Sequence, residues 1–193
     1  MGVFYFQDLI FNIEFFMATI FSHAIAAGTL YKLSTFSKRK ILFFCLLGSL
    51  IPDFDVIGFK LGIQYGDMLG HRGFSHSIIF AIIYALAVIF LFFRKDFSIN
   101  KGKLFMLFFI SIMSHNLLDM LTNGGLGVGL FIPFTSERYF FPYTPIEVSP
   151  IGKNFFSGRG MAVLLNELYL VILPCLALII CKMLILRNKK REN

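Results

Sequence analysis

Five long apolar runs decide what this chain can become. They fall at residues 9–31, 41–59, 74–93, 104–121 and 161–186, each close to the ~20 residues a helix needs to cross a bilayer. Hydrocarbon offers the backbone no hydrogen bonds, so a spanning segment of this kind must be a helix. Pro52, Asp53 and Asp55 interrupt the second run. Because proline disfavours helix in the preceding residue, that helix is expected to stop near it at its outer end. Composition agrees: 57% of residues are hydrophobic, with 26 Phe and no Trp, against about 45–50% apolar in a soluble domain. The expected architecture is all-α, a multi-pass transmembrane helical bundle of about five spans, forming a single membrane-embedded domain over residues 1–193.

A formal charge of +7 invites thoughts of a nucleic-acid partner, but its placement argues otherwise. The cations gather in three short stretches, Lys32 with Lys38–Lys40, Arg94 to Lys103, and Arg187 to Arg191, each against an apolar run. Positive charge resists translocation, so these are expected to be cytoplasmic loops, and no nucleic acid is needed. With five spans the N-terminus is then outside, the C-terminus is cytoplasmic, and all three clusters lie on one side. The first residues lack a basic region and carry Asp8 and Glu14, so a cleaved signal peptide is not expected. Cys45, Cys175 and Cys181 lie inside apolar runs without metal-type spacing and read as small apolar residues. The outer segment 122–160 is rich in glycine, proline and aromatics. A connection this long is usually functional, and it is read as a lid-like loop over the outer face.

The chemistry lies in residues that hydrocarbon tolerates poorly. All four histidines, His23, His71, His76 and His115, sit in or beside apolar runs with Asp53, Asp55 and Asp119. Three aspartates at helix centres would cost on the order of 9 kcal/mol unless paired, protonated or near the interface. Few cations are placed to pair with them, whereas a divalent metal pairs with carboxylates and neutral imidazoles together. His115 and Asp119 are i and i+4 and share a helix face. A rise of about 1.5 Å per residue places the set roughly 12–26 Å from the cytoplasmic side, in one open-topped cavity facing outward. Metal ligands are therefore expected among His23, Asp53, Asp55, His71, His76, His115 and Asp119. Ser22, Ser75 and Ser114 each precede a histidine. Neighbours on a helix point about 100° apart, so these serines are read as packing or orienting groups, not nucleophiles. Arg72 either snorkels to the interface or grips a phosphate or developing anion. Glu137, Glu147 and Glu167 are outer-side candidates for a further ligand or base.

The series Ser22-His23-Ala24 with Gly28, Pro52-Asp53-x-Asp55, His71-Arg72-Gly73-Phe74-Ser75-His76-Ser77, and Ser114-His115-x-x-x-Asp119 with Thr122-Asn123-Gly124-Gly125 resembles the bacterial YdjM-like family. That family is described as inner-membrane metal-dependent hydrolases. More distantly it is similar to zinc-dependent phospholipase C and the S1/P1 nucleases, whose clustered zinc is held by His and Asp. Those proteins carry a later His and an HxxxE pair, and no histidine follows His115 here. The resemblance therefore implies one or two divalent ions, zinc above all, and hydrolysis of a lipid or amphiphile phosphoester at the outer leaflet of the bacterial inner membrane. Asp55, His71 and Arg72 are then the catalytic candidates, with Asp55 or His71 as either a further ligand or the general base. A divalent-cation transporter or sensor, and a scaffold merely tied by metal, are the competing readings. The absence of a polar inner pathway disfavours transport.

Overall fold

The computed structural model describes residues 18–148 and 158–192. Helix α1 is Ile20–Leu33 and α2 is Arg39–Leu50. Next come α3, Ile78–Val88, and α4, Lys101–Met120, then α5, Gly158–Glu167, and α6, Leu173–Glu192. A π-type turn, Leu168–Ile172, joins α5 to α6. Among the described residues only two isolated β-bridges occur, Thr122 with Ile146 and Val128 with Tyr139. The helices Arg39–Leu61, Lys101–Met120 and Gly158–Arg191 are long and apolar enough to cross a membrane, and Ile78–Phe93 is a shorter apolar helix. The beginning of the first expected span and residues 149–157 of the outer loop lie outside the described residues.

Helix α2 does not stop at the proline. It tightens into a 3-10 segment, Ile51–Leu61, that carries on for three further turns. Ile51 keeps helical angles (φ −60°, ψ −35°), and Pro52 lies in the first turn of the new segment. The third span also starts later than its apolar run. Ser77 caps α3 by accepting from Phe80 N–H at 3.1 Å, which leaves Phe74–His76 as a separate 3-10 turn. The block from His71 to His76 is thus a folded-back loop at the mouth of the helix.

Helix α4 is the central post and packs on α1, α2 and α3. Its buried face, Leu104, Leu107, Phe108, Ser111 and Ile112, meets Ile41, Phe44 and Cys45 of α2 and Ala81, Tyr84 and Ala85 of α3. The Tyr84 hydroxyl donates to the Phe44 carbonyl at 2.7 Å, which satisfies a buried phenol. At one end of the bundle the first two basic stretches come together, and α6 approaches the first through Lys182. Lys38 pairs with Asp96, Lys40 lies over the Phe92 ring, and Lys182 Nζ donates to the carbonyls of Lys32 and Ser34 at 2.7 and 2.8 Å. The four histidines, with Asp53, Asp55 and Asp119, lie at the other end.

Candidate metal centre

Four side chains from three elements converge on one point. Asp53 comes from the 3-10 segment, His76 from the short turn, and His115 and Asp119 from adjacent turns of α4. One ligand atom from each lies within 4.8 Å of all the others. His115 Nε2 stands 3.0 Å from His76 Nε2, 3.5 Å from Asp119 Oδ2 and 3.5 Å from Asp53 Oδ1. His76 Nε2 is 3.3 Å from Asp119 Oδ2 and 3.9 Å from Asp53 Oδ1. An ion bound tetrahedrally at about 2.0–2.2 Å from N and O donors holds those donors about 3.3–3.6 Å apart, and the observed spacings bracket that range.

Tautomers make the case chemical as well as geometric. His115 Nδ1 lies 2.8 Å from the Ser49 carbonyl oxygen, which can only accept, so Nδ1 carries the proton. His76 Nδ1 faces Asp55 Oδ2 at 3.2 Å and Ser75 Oγ at 3.0 Å, and Ser75 itself donates to Asp55 at 2.6 Å. Both Nε2 atoms therefore turn lone pairs towards each other and towards two carboxylate oxygens. One added proton would answer one of these approaches and leave the rest opposed. A divalent cation answers them all, so the residues fit a metal.

Asp55 stands behind this group. It accepts from His71 Nδ1 at 2.6 Å, Arg72 N–H at 3.0 Å and the Ser75 hydroxyl, besides facing His76. It is placed as the carboxylate that orients a ligating histidine through its far nitrogen. His71, fully buried, is held by Asp55 and leaves Nε2 without a hydrogen-bond partner. His23 flanks the cluster, stacked on His115 at 3.8 Å between ring centroids, with Nε2 3.7 Å from Asp119 Oδ1.

Two expectations need correcting. First, Arg72 does not snorkel to the interface. Its guanidinium is fully buried and pairs with Asp119, Nε to Oδ2 at 3.2 Å and Nη2 to Oδ1 at 3.3 Å. It also donates to Thr122 Oγ1 at 3.1 Å and the Gly124 carbonyl at 2.9 Å. Asp119 thus has a cationic partner 47 residues away, which spacing along the chain does not reveal. Second, the site is roofed, not open-topped. His76, His115 and Asp119 are wholly buried, and Asp53 keeps 15% of its side chain exposed.

The loop after α4 supplies the roof. Gly129 N–H donates to the Arg72 carbonyl at 2.8 Å. Arg138 donates to the carbonyls of His71 (2.8 Å), Tyr65 and Asp67 (both 3.0 Å). Gly125 sits at φ +86°, and a Cβ there would lie 2.5 Å from the Tyr65 hydroxyl and 3.1 Å from Arg72 Nη1. Within the roof, burial pushes the Tyr65 phenol up and the Arg138 guanidinium down from their ordinary ranges.

Glu167 lies apart, buried and bonded to the backbone N–H and hydroxyl of Thr19. Glu137 accepts from Tyr139 at 2.8 Å, and Glu147 is exposed. None of the three joins the four donors. Sequence reasoning overlooked Asn116, whose Nδ2 donates to the His76 carbonyl at 2.7 Å and ties the short turn to α4. A buried amide beside His115 in an apolar run was the available signal. Of the serines before histidines, Ser75 orients its neighbour, while Ser114 bonds the Ser111 carbonyl within its own helix.

Comparison with known proteins bears on where this chain resides. Inner membrane protein YbcI of Escherichia coli (strain K12) is 36% identical over 162 residues, which span 82% of this chain and 92% of YbcI. No solved structure matches. The apolar helices and this relative place the chain in the bacterial inner membrane. Residues 17–190 match the YdjM inner membrane protein family, and the chain belongs to that family.

Proposed function

We propose that this protein is a membrane-bound metal-dependent hydrolase that cleaves a phosphoester of a lipid or amphiphile at the outer leaflet. The observation that supports it is the meeting of four lone-pair-bearing atoms, from Asp53, His76, His115 and Asp119, all within 4.8 Å of one another inside a span-forming bundle. These four would hold the ion, zinc above all, with His23 beside them. Such an ion lowers the pKa of water and polarises a phosphoryl oxygen. The chain's own groups do the rest. Arg72 balances the Asp119 charge, so the donor set can be buried without a full excess of anion. Asp55 fixes the ring orientation of His76 and His71. His71, with its Nδ1–H on Asp55 and Nε2 unpartnered, is disposed to take a proton.

A second reading, a structural metal that ties helices together, is favoured by the depth of burial and by a complete set of four protein donors. The two readings diverge under measurement. On the hydrolase reading, purified protein carries metal, chelator abolishes phosphoester hydrolysis, and His115→Ala loses both metal and turnover. Loss of metal with turnover retained overturns it. Full metal content with no turnover on any phosphoester leaves the structural reading standing.

A further inference from the structure

One span is too short for the bilayer by itself. Helix α3 continues through a π-type turn to Phe93, and the whole apolar helix Ile78–Phe93 is shorter than the three long ones. At about 1.5 Å per residue it rises roughly 24 Å, which falls about 6 Å short of a hydrocarbon core about 30 Å thick. Arg94 and Lys95 follow at once, so the inner end is fixed at the basic interface and the shortfall lies at the outer end. Tilt would shorten the projection and widen the gap.

The roof supplies an apolar turn at that place. Residues Leu130 to Phe134 read Leu-Phe-Ile-Pro-Phe, and Thr135, Ser136 and Glu137 follow. The Leu130 carbonyl accepts from Ile78 N–H at 3.0 Å. The free N–H groups of a helix's first turn point out along its axis, so this turn sits on the outer end of α3. Ile132 is buried beneath it, while Phe131 and Phe134 are 46% and 83% exposed. Along the same span Ile83 and Leu86 are exposed too, so the turn prolongs a face that already meets lipid. A non-helical segment enters apolar surroundings only when the protein answers its backbone polar groups. Here Leu130, Ile132, Phe134 and Thr135 donate their N–H groups to the carbonyls of Val128, Gly129 and Phe131 at 2.9–3.4 Å. Pro133 has no N–H to answer.

We propose that the turn Leu130–Phe134 is seated in the outer leaflet, with Phe131 and Phe134 among the upper acyl chains and Glu137 at headgroup level. The partner of this surface is bilayer lipid, which completes the short span. Tyr139, whose hydroxyl donates to Glu137 at 2.8 Å, then lies where tyrosine favours the interface. Lipid thereby holds the roof from its apolar side, since Gly129, next in the chain, ties the turn to the Arg72 carbonyl. Neither metal nor hydrolysis enters into this.

The chain contains no Trp, so a single introduced Trp reports its own surroundings. The test takes the full chain in nanodiscs of brominated phospholipid and titrates acrylamide against four variants. Phe134→Trp and Phe131→Trp sample the turn, Leu86→Trp samples the span, and Asn188→Trp samples the exposed basic tail. Both turn reporters are expected to lose most of their emission to lipid brominated close to the glycerol, and little to acrylamide. Leu86→Trp should respond to bromine deep in the chains, and Asn188→Trp to acrylamide alone. Turn reporters that behave like Asn188→Trp place the turn in water and overturn the proposal. Turn reporters shielded from lipid and acrylamide alike are covered by protein, which overturns it as well.

Discussion

Each end of the bundle carries an ion pair, and the two could hardly differ more. Arg72 and Asp119 are both wholly buried, at 3.2 Å, with the guanidinium's other donors placed on Thr122 and Gly124. Lys38 and Asp96 meet in the loops of the basic end, with 51% and 29% of their side chains exposed. An exposed pair exchanges one good solvent for a modest attraction and contributes little. A buried pair cannot return to water, so removing one member strands the other. The basic end therefore carries charge that suits loops held on one side of the membrane. The other end holds charge where the protein itself must supply every partner.

Breaking the buried pair should have the largest effect. Arg72→Leu leaves Asp119 uncompensated and is expected to cost about 3–5 kcal/mol, read as a large fall in thermal unfolding temperature in detergent. Arg72→Lys should recover only part of this, because an ammonium cannot reproduce the two-pronged contact with the carboxylate. If Arg72→Leu melts like the parent, the pair is not what holds Asp119.

Next comes the carboxylate that touches two histidines. If the four donors hold zinc as proposed, Asp55→Asn should weaken its binding about 10–100-fold, measured by competition with a chromophoric chelator, while the helices stay folded by circular dichroism. An unchanged affinity would show that the tautomers are set elsewhere. Gly125→Ala follows, because Cβ at φ +86° is strained and meets Tyr65 and Arg72. A loss of about 1–2 kcal/mol is expected. The same change at Gly62, with φ +81° and open space around it, separates backbone strain from the clash.

The exposed pair should give the smallest effect. Lys38→Ala is expected to leave the unfolding temperature unchanged within error at neutral pH. Acid sharpens the contrast. The Lys38 ammonium, then the Ser98 hydroxyl, hold the Asp96 carboxyl down to about 2, below its ordinary value near 3.9. A depressed carboxyl stabilises the fold above its unfolded value and loses that contribution as pH falls through the folded one. The Asp96 contribution thus disappears between about 4 and about 2. A carboxyl signal from Asp96 that moves near pH 4 instead would show that the pair does not form in solution.

What could be read directly from the chain was whatever depends on short spacing. The apolar runs announced helices because hydrocarbon leaves the backbone no other choice. The basic stretches announced one shared end. His115 and Asp119 announced a common face because 3.6 residues complete a turn. Pro52 misled, since the chain passes it in helical conformation and tightens from α to 3-10 without a break.

Sequence alone therefore determined a helical membrane protein with its basic stretches towards one end and its histidines, with Asp53, Asp55 and Asp119, towards the other, because burial in lipid permits few other uses of such a chain. Tertiary structure alone decided that Asp119 pairs with Arg72, that Asp55 stands behind the histidines, and that loops close over the donors. Those facts depend on backbones meeting from distant parts of the chain, and no local period encodes such meetings.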